Sequence, residues 1–362
     1  MINKTKSKST RKPKRKSKSR AYFSTIIGII IIVGLILSYR YFKMTLLPNV
    51  LLDSTKQEEY FYVPTGSNFD DVIRLLKKKN IVRNINSFTW VAKKVDYPHN
   101  IHPGRYLIKK NMSNFELVRI LRSGRFNIPV KLVMNEFENI TDLAAFVSEQ
   151  LEIDSNEFLR YVLRPQFLKE HGLTRYSVLS LFIPNTYEFY WNTRLDKFMG
   201  TMISENNEFW NKDRLNKAQQ LEMKPVEVSV LASIIQKETI KQDEMSKIAG
   251  VYINRLRMGM KLQADPTIKF LIRNRKVYRV YRGDLDISSA YNTYQNYGLP
   301  PGPICMPYIS SIDAVLNAEK HNYLYFCAES DLSGYHVFSR TYQQHSKYAE
   351  QYRRALNKRD IK

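Results

Sequence analysis

The chain has 362 residues, of which 43% are apolar and 12% aromatic, enough for two or three domains with a sizeable core. This composition excludes an intrinsically disordered protein. The formal net charge is +23, and ten of the 57 basic residues lie in the first 20 positions, where there is no acidic residue. Without that tail the remainder carries 47 basic and 34 acidic residues, or +13. A basic remainder suits an anionic partner such as a membrane surface, a nucleic acid or an anionic polymer.

An apolar segment follows the basic tail. Residues 21–39 carry no charge, and about 20 apolar residues are enough to cross a membrane as a helix, so we predict a transmembrane helix over 21–42. The basic tail, 1–20, predicts a cytoplasmic N-terminus, a single span of the cell (inner) membrane and an extracytoplasmic or periplasmic main body. A cleaved signal peptide is the alternative, but the apolar run is long and no A-x-A site follows it. This topology excludes nucleic acid as the partner.

A linker is predicted over 43–58, and a small α/β subdomain over 59–127. The subdomain carries no cluster of acids, histidines or cysteines, so it reads as a binding or spacer domain. Its predicted elements are a strand at Tyr60–Val63, a helix over 70–79 capped by Ser67 or Asn68, a helix-like stretch over 87–95, a strand near 104–108, and a helix over 115–121 capped by Ser113 or Asn114.

The remaining residues, 128–350, predict a larger mixed α+β domain, followed by a C-terminal tail over 351–362. Its strand and helix patterns mix, which gives an α+β fold class for the whole chain. The predicted elements are a strand over 128–134, a helix over 141–151 capped by Thr141, a helix starting at Ser155, an aromatic loop or strand over 181–190, one helical region over 196–223, a helix beginning at Pro225 and a helix over 245–258.

Glu238 is the most informative residue of this domain. At 100° per residue it falls in the middle of an apolar arc formed by Val228, Val230, Leu231, Ile234 and Ile235. A glutamate is rarely placed there unless it is paired or functional. Burial would raise its pKa and keep it protonated near neutral pH, as a general acid requires. The structural alternative is an ion pair across a helix interface with Arg255 or Arg257.

Two polar loops follow the Glu238 helix. Asp265 precedes Pro266, which predicts an extended or turn conformation for it, with an ordinary Asx-turn as the alternative to a site role. A second loop, Ala290–Tyr294, leads into the Pro/Gly-rich stretch 298–303. Tyrosine rings and amides beside a protonatable glutamate suit a carbohydrate groove, although scattered surface tyrosines would give the same pattern.

Cysteine and histidine usage is uninformative about cofactors. Cys305 and Cys327 could form one disulfide, but two free thiols are at least as compatible with their spacing. The six histidines show no metal-ligand spacing, so we expect neither a metal nor a cofactor.

Four motifs together resemble the MltG/YceG-like family of membrane-anchored endolytic murein transglycosylases. They are LASIIQKET from Leu231, VYINRLRMGMKLQADPT from Val251, AYNTY from Ala290 and GLPPGPI from Gly298. The resemblance runs from about residue 60 to 350 and includes HPGRYLI from His102 and FIPNTYEF from Phe182. It implies a LysM-like subdomain at 59–127 and a catalytic domain at 128–350. The chain departs from the family pattern at Asn185 and Gln236, which leaves the roles of these two residues open.

The resemblance also implies a chemistry. By the Lys-Glu-Thr motif, Glu238 corresponds to the catalytic acid/base, and Gln263, Asp265, Tyr291, Asn292 and Tyr294 are expected to bind the sugars. The expected reaction cleaves the bond between N-acetylmuramic acid and N-acetylglucosamine in nascent strands and leaves a 1,6-anhydro end. The expected partners are peptidoglycan glycan strands and membrane lipid, with peptidoglycan synthases and division or elongation proteins suggested as well.

Two other functions stay open. A glycoside hydrolase could use Glu238 and Asp265 as a pair, since ordinary glycosidases use two carboxylates. A membrane-tethered protein that only binds peptidoglycan would depend on the 59–127 subdomain and leave the glycan intact.

Overall fold

The computed structural model describes residues 18–53, 55–273 and 280–358. Most of the predicted basic tail and the last four residues of the predicted C-terminal tail lie outside these ranges. The chain forms two compact units, Met1–Ile128 and Pro129–Lys362, and each is described by itself.

The first unit begins with a long apolar helix, α1 (Lys18–Thr45). Within it, the candidate span Tyr22–Thr45 has 24 residues, and none of its most apolar 18-residue stretch is buried in protein. About 20 residues suffice to span a bilayer, so α1 is long and apolar enough to do so. No other helix among the described residues meets that requirement.

The rest of the first unit packs helices around one antiparallel strand pair. Strands β1 (Glu58–Val63) and β2 (Gly104–Lys109) pair from Glu58 opposite Lys109 to Val63 opposite Gly104. The helices are α2 (Phe69–Lys78), α3 (Ile85–Lys94) and α4 (Asn114–Ser123). The core between them is closed by fully buried aromatic side chains, among them Phe61, Phe88 and Tyr106. Every element predicted for this segment is present, and Ser113 caps α4 through a reciprocal bond with Glu116.

The second unit is built on two separate hydrophobic cores. One core lies under the antiparallel pair β3 (Pro129–Val133) and β4 (Thr186–Tyr190) and is centred on Phe158, Phe182 and Phe198. Its helices are α5 (Ile140–Gln150), α6 (Ser155–Val162), α7 (Pro165–Glu170) and α8 (Leu195–Phe209).

Two boundaries differ from the sequence prediction in this part. The predicted helical region over 196–223 is two helices, because Asn211 accepts a hydrogen bond from the Arg214 N–H and so starts α9 (Lys212–Gln220). Asn139, and not Thr141, caps α5 by accepting from the Asp142 N–H.

The second core surrounds α10 (Pro225–Glu238), whose residues from Val228 to Ile235 are all buried. The remaining elements are α11 (Gln242–Arg257), α12 (Asp265–Leu271), α13 (Ile309–Leu316), the antiparallel pair β5 (Tyr325–Ala328) and β6 (His336–Ser339), and α14 (Tyr342–Lys358).

Polar side chains of α10 fasten the loops around it. The Ser233 hydroxyl accepts a hydrogen bond from the Ile304 N–H at 3.0 Å, and the Gln236 Oε1 accepts one from the Tyr308 N–H at 2.6 Å. Tyr308 is the N-cap residue of α13. Gln236, whose role the family pattern leaves open, therefore satisfies a backbone donor that α13 itself cannot.

The cap of α2 gives a local test of the fold. Asn68 accepts from the Asp71 N–H, and Asp71 accepts from the Asn68 N–H. Asn68→Ala should therefore lower the free energy of unfolding of the first unit by about 1 kcal/mol, as measured by denaturant titration. Ser67→Ala, at the other predicted cap position, is the matched control and should change it by less than about 0.5 kcal/mol. Equal losses in the two variants would contradict the cap assignment.

Candidate active site

Glu238 is the last residue of α10 and lies where the helix leaves the core. Its carboxylate Oε1 accepts a hydrogen bond from the hydroxyl of Tyr252 on α11. The Tyr252 side chain is buried, and its ring meets Phe326 of β5 edge-on with centroids 5.7 Å apart. The pair holds the Glu238 carboxylate in one orientation.

Burial raises the pKa of Glu238 to about 7. The hydrogen bond from Tyr252 opposes this change, and the negative charge of Asp265 adds to it. The negative end of the α10 dipole also disfavours the ionised form at this position. Near neutral pH the Glu238 carboxyl group is therefore present in both protonation states, as acid/base chemistry requires.

Arg255 does not form the ion pair with Glu238 that was the structural alternative to a catalytic role. Its guanidinium donates to the main-chain carbonyls of Leu324 at 2.6 Å and Leu262 at 2.7 Å. Arg255 thus braces two loops around the carboxylate, and among the described residues no ion pair to Glu238 is formed.

The carboxylate faces an open cleft of about 580 Å³. One wall is formed by Gln263 of the loop before α12, Asp265 at the first position of α12 and Tyr294 of the loop over 290–294. Side chains of β5, β6 and α14 form the other and include Tyr325, Phe326, Cys327, His336, Tyr342 and His345. The cleft therefore combines aromatic faces with exposed polar groups beside one protonatable carboxylate.

Asp265 is the first residue of α12, so the prediction of an extended or turn conformation was wrong. Pro266 is tolerated because it occupies the first turn of a helix, where its missing N–H is not needed. The Asp265 carboxylate accepts a hydrogen bond from the Tyr294 hydroxyl, and no side-chain cap of α12 is formed. Asp265, Tyr294 and the exposed Gln263 are thus brought to the same cleft as Glu238.

Threonines lock these loops together. The Thr293 hydroxyl accepts from the Ala264 N–H at 2.9 Å and lies 2.9 Å from the Thr267 hydroxyl, and all three groups are buried. The Gln263 N–H donates to the Thr293 carbonyl at 3.1 Å. Gln263 needs this support because it adopts a φ of 54°, which is rare for a residue other than glycine.

The structure does not bring Asn292 to the cleft. Its side chain is fully buried, and its amide donates to the carbonyls of Leu285 and Ile287 at 2.9 and 2.8 Å. The Asn292 Oδ1 accepts from the Tyr294 N–H at 2.9 Å. All three bonds are internal, so in this geometry Asn292 positions Tyr294 and has no group left to offer a ligand.

Tyr291 also lies away from Glu238. Its ring contacts Tyr176 and Phe270 and lines a separate cleft. Tyr291 precedes Tyr294 by three positions, and over that distance the loop turns the Tyr291 side chain to another face. The five residues predicted to bind sugars are therefore divided between the Glu238 cleft, the protein interior and a second cleft.

Tyr252 and the pair Glu244–His336 were not predicted. Tyr252 continues a buried stripe of α11 with Met245, Ile248 and Ala249, and a tyrosine in such a stripe needs a partner for its hydroxyl. Glu244, which is 8% exposed, accepts from the His336 N–H and lies 3.0 Å from its Nδ1. That contact joins residues 92 positions apart and has no local signal in the sequence.

Both cysteines are free in the structure. Cys305 is buried, and Cys327 lines the Glu238 cleft. Among the described residues, no group of three or more His, Cys, Asp or Glu side chains could hold a metal ion.

The fold and the cleft define a mixed α+β domain with a buried, protonatable glutamate in an open cleft. The model of the YceG-like family matches residues 61–351, so the chain belongs to that family.

The endolytic murein transglycosylase of Bacillus subtilis is 29% identical over 317 residues, which cover 82% of this chain and 85% of the relative. The endolytic murein transglycosylase of Streptococcus pneumoniae strain D39 is 27% identical, and the match covers 80% of this chain but 57% of that longer relative.

A solved structure agrees with this assignment. The crystal structure of a yceG-like protein from Listeria monocytogenes superposes with a TM-score of 0.51 at 27% identity. The match covers 81% of this chain and 99% of that one.

Because the pKa of Glu238 is raised in the folded state, ionised Glu238 should lower the free energy of unfolding as the pH rises. Its folded-state value of about 7 exceeds the ordinary 4.5, so the unfolded protein loses this proton more readily. Glu238→Gln should therefore raise the free energy of unfolding of the second unit by about 3 kcal/mol at pH 8 and by less than about 1 kcal/mol at pH 5. Denaturant titration of the full chain in detergent measures both values.

The control is Glu208→Gln, which removes an exposed carboxylate from α8. It should change the stability by less than about 0.5 kcal/mol at either pH. A gain for Glu238→Gln that is equal at pH 5 and pH 8 would contradict the raised pKa.

Proposed function

We propose that this protein is a membrane-anchored endolytic peptidoglycan transglycosylase, with Glu238 as its general acid and base. The observation that carries the proposal is one carboxylate, with a pKa of about 7, at the base of an open, aromatic-lined cleft. The relatives from Bacillus and Streptococcus, both called endolytic murein transglycosylase, support the substrate and the reaction type.

The reaction needs only one group that first donates and then accepts a proton. Protonated Glu238 donates to the glycosidic oxygen between N-acetylmuramic acid and N-acetylglucosamine, and the bond from that oxygen to the muramoyl C1 breaks. The muramoyl C6 hydroxyl attacks C1 and returns its proton to Glu238. The product is a 1,6-anhydro end, no water is consumed, and Glu238 is restored to its starting form.

The neighbouring residues orient Glu238 and bind the sugar. Tyr252 orients the Glu238 carboxylate, and Asp265 with Tyr294 offers a charged group and a hydroxyl to the sugar that develops positive charge. Gln263 is exposed in the same wall and can bond a hydroxyl or acetamido group. Asn292 acts through Tyr294, whose main chain it holds.

The membrane anchor is α1, with the basic tail on the cytoplasmic side and the second unit in the compartment of the wall. The apolar length of α1 supports the span, and the distribution of positive charge supports the orientation. We assign residues 59–127, with the strand pair β1–β2 and the helices α2 to α4, to a LysM-like subdomain that holds the glycan strand. Membrane lipid is the second partner, and synthases and division proteins are further candidates.

A glycoside hydrolase is the second candidate function. Asp265 lies in the same cleft, and its charge acts on Glu238, as the paired carboxylates of hydrolases do. The two reactions differ in their product, because a hydrolase leaves a reducing end and a transglycosylase leaves an anhydro end.

Glu238→Gln should lower the release of anhydro-muropeptides by at least about a thousandfold, since glutamine can neither donate nor accept the proton. Mass spectrometry of the products from purified glycan strands measures this, with Glu208→Gln as the control that should keep wild-type activity. Unchanged anhydro product from Glu238→Gln would contradict the assignment of Glu238. Reducing ends from the wild-type protein would favour the hydrolase, and intact strands would favour a protein that only binds.

The pH profile tests the Tyr252–Glu238 hydrogen bond. In the wild type, kcat/KM should fall as the pH rises through about 7, because the acid form of Glu238 is lost. Tyr252→Phe removes a hydrogen bond that favours the ionised form, so this fall should move to higher pH by about one pH unit. Tyr323→Phe, at an aromatic residue outside the cleft, is the control and should leave the midpoint in place. A Tyr252→Phe enzyme that loses activity equally at every pH would indicate a purely structural role.

A further inference from the structure

A second cleft in the second unit lies beside the elements that form the Glu238 site. It encloses about 200 Å³, and its lining includes Arg175, Tyr176, Phe270, Arg273 and Tyr291. None of these residues takes part in the mechanism described above. Tyr291, expected from the sequence to bind substrate, lies here.

Three aromatic rings form its inner surface. The Tyr291 ring lies 5.0 Å from Phe270 and 6.4 Å from Tyr176, measured between centroids. Tyr176 is 54% exposed, so its ring is accessible. Gly302 fixes this arrangement: a Cβ on that glycine would lie 1.9 Å from the Tyr176 carbonyl oxygen, so the Pro/Gly loop packs directly against the Tyr176 main chain.

Two guanidinium groups stand at the rim. Arg273 lies over the Phe270 ring at 4.8 Å, and Arg175 lies 5.8 Å from the Tyr176 centroid. Both arginines are exposed, and within the described residues neither forms an ion pair. An acidic residue, the exposed Glu138, lines this cleft as well. Two unpaired guanidiniums on aromatic rings are a site for a planar anion, because arginine binds carboxylates bidentately.

The two clefts are joined by α12. Asp265, at its first residue, lines the Glu238 cleft, and Phe270, near its end, lines the second cleft. At 1.5 Å per residue the two ends of this helix are about 9 Å apart. A polymer that enters the Glu238 cleft can therefore reach the second cleft with a neighbouring repeat.

We propose that the Arg175–Arg273 cleft binds a carboxylate of a stem peptide carried by the glycan strand next to the scissile bond. This inference rests on the proposed function, because it takes the substrate to be peptidoglycan. Stem peptides carry free carboxylates at a distance from the sugars, whereas a strand stripped by an amidase loses these and keeps only the lactyl carboxylate that the hydrolysis leaves on each muramic acid. The proposed cleft requires the peptide carboxylate and not the lactyl one. The aromatic surface covers the apolar part of the peptide, and the two arginines bind its charge.

The test measures binding separately from cleavage. The full-length Glu238→Gln protein in detergent is titrated with two ligands: glycan strands bearing stem peptides, and the same strands after an amidase has removed the peptides. Arg175→Ala/Arg273→Ala in this background should weaken the Kd for peptide-bearing strands about tenfold. It should change the Kd for stripped strands by less than about twofold.

The matched control is Arg160→Ala/Arg257→Ala, which removes the same charge from two exposed positions outside both clefts. It should leave both affinities within about twofold of the parent. An equal loss on both ligands, no loss on either, or the same loss in the control would overturn the proposal. The wild-type cleavage assay reports on the proposed function separately. If binding depends on the two arginines but no cleavage occurs, only the proposed reaction is rejected. If cleavage occurs but binding does not depend on the arginines, only the role of the second cleft is rejected.

Discussion

The site depends on the partial removal of one carboxylate from water. Glu238 is the last residue of α10, and the residues before it are buried from Val228 to Ile235. The chain therefore leaves the core at the Glu238 carboxylate. Burial and the negative end of the helix both disfavour the ionised form, and the Tyr252 hydrogen bond limits the effect. The resulting pKa near 7 is a balance of opposed contributions, and it is set by tertiary packing.

That balance requires a rigid surround, which the second core provides. Ser233 and Gln236 of α10 each accept a hydrogen bond from a loop N–H, and Arg255 closes two other loops by donating to their carbonyls. Each bond satisfies a backbone donor or acceptor of a loop, and those of the Ile304 N–H and the Leu262 carbonyl are buried. Arg255 and its acceptor residue Leu262 also line the cleft, so at this point the hydrogen bonds that stabilise the fold also fix a wall of the site.

Local pattern was sufficient for some of these features and not for others. The apolar arc of α10 identified Glu238, and the caps Asn68 and Ser113 were each one of two adjacent candidates, because helix periodicity and capping are local. The AYNTY loop was identified as a unit, but its side chains diverge: Tyr294 faces Glu238, Asn292 is buried and Tyr291 faces another cleft. Irregular loops have no fixed period, so the direction of each side chain depends on particular contacts, such as that of Thr293 with Thr267, 26 positions away, and that of Asn292 with Leu285.

One protonatable glutamate limits what the Glu238 cleft can do alone. Binding energy accelerates a reaction only where it is realised in the transition state, and contacts far from the scissile bond can supply the energy that distorts and orients the reacting sugar. A polymer substrate makes such contacts available at every repeat, so a second cleft at the far end of α12 would hold the strand in register while Glu238 acts. The shared helix matters for this reason: Asp265 and Phe270 lie on the same helix, so the two clefts would keep their spacing if a strand bound in both.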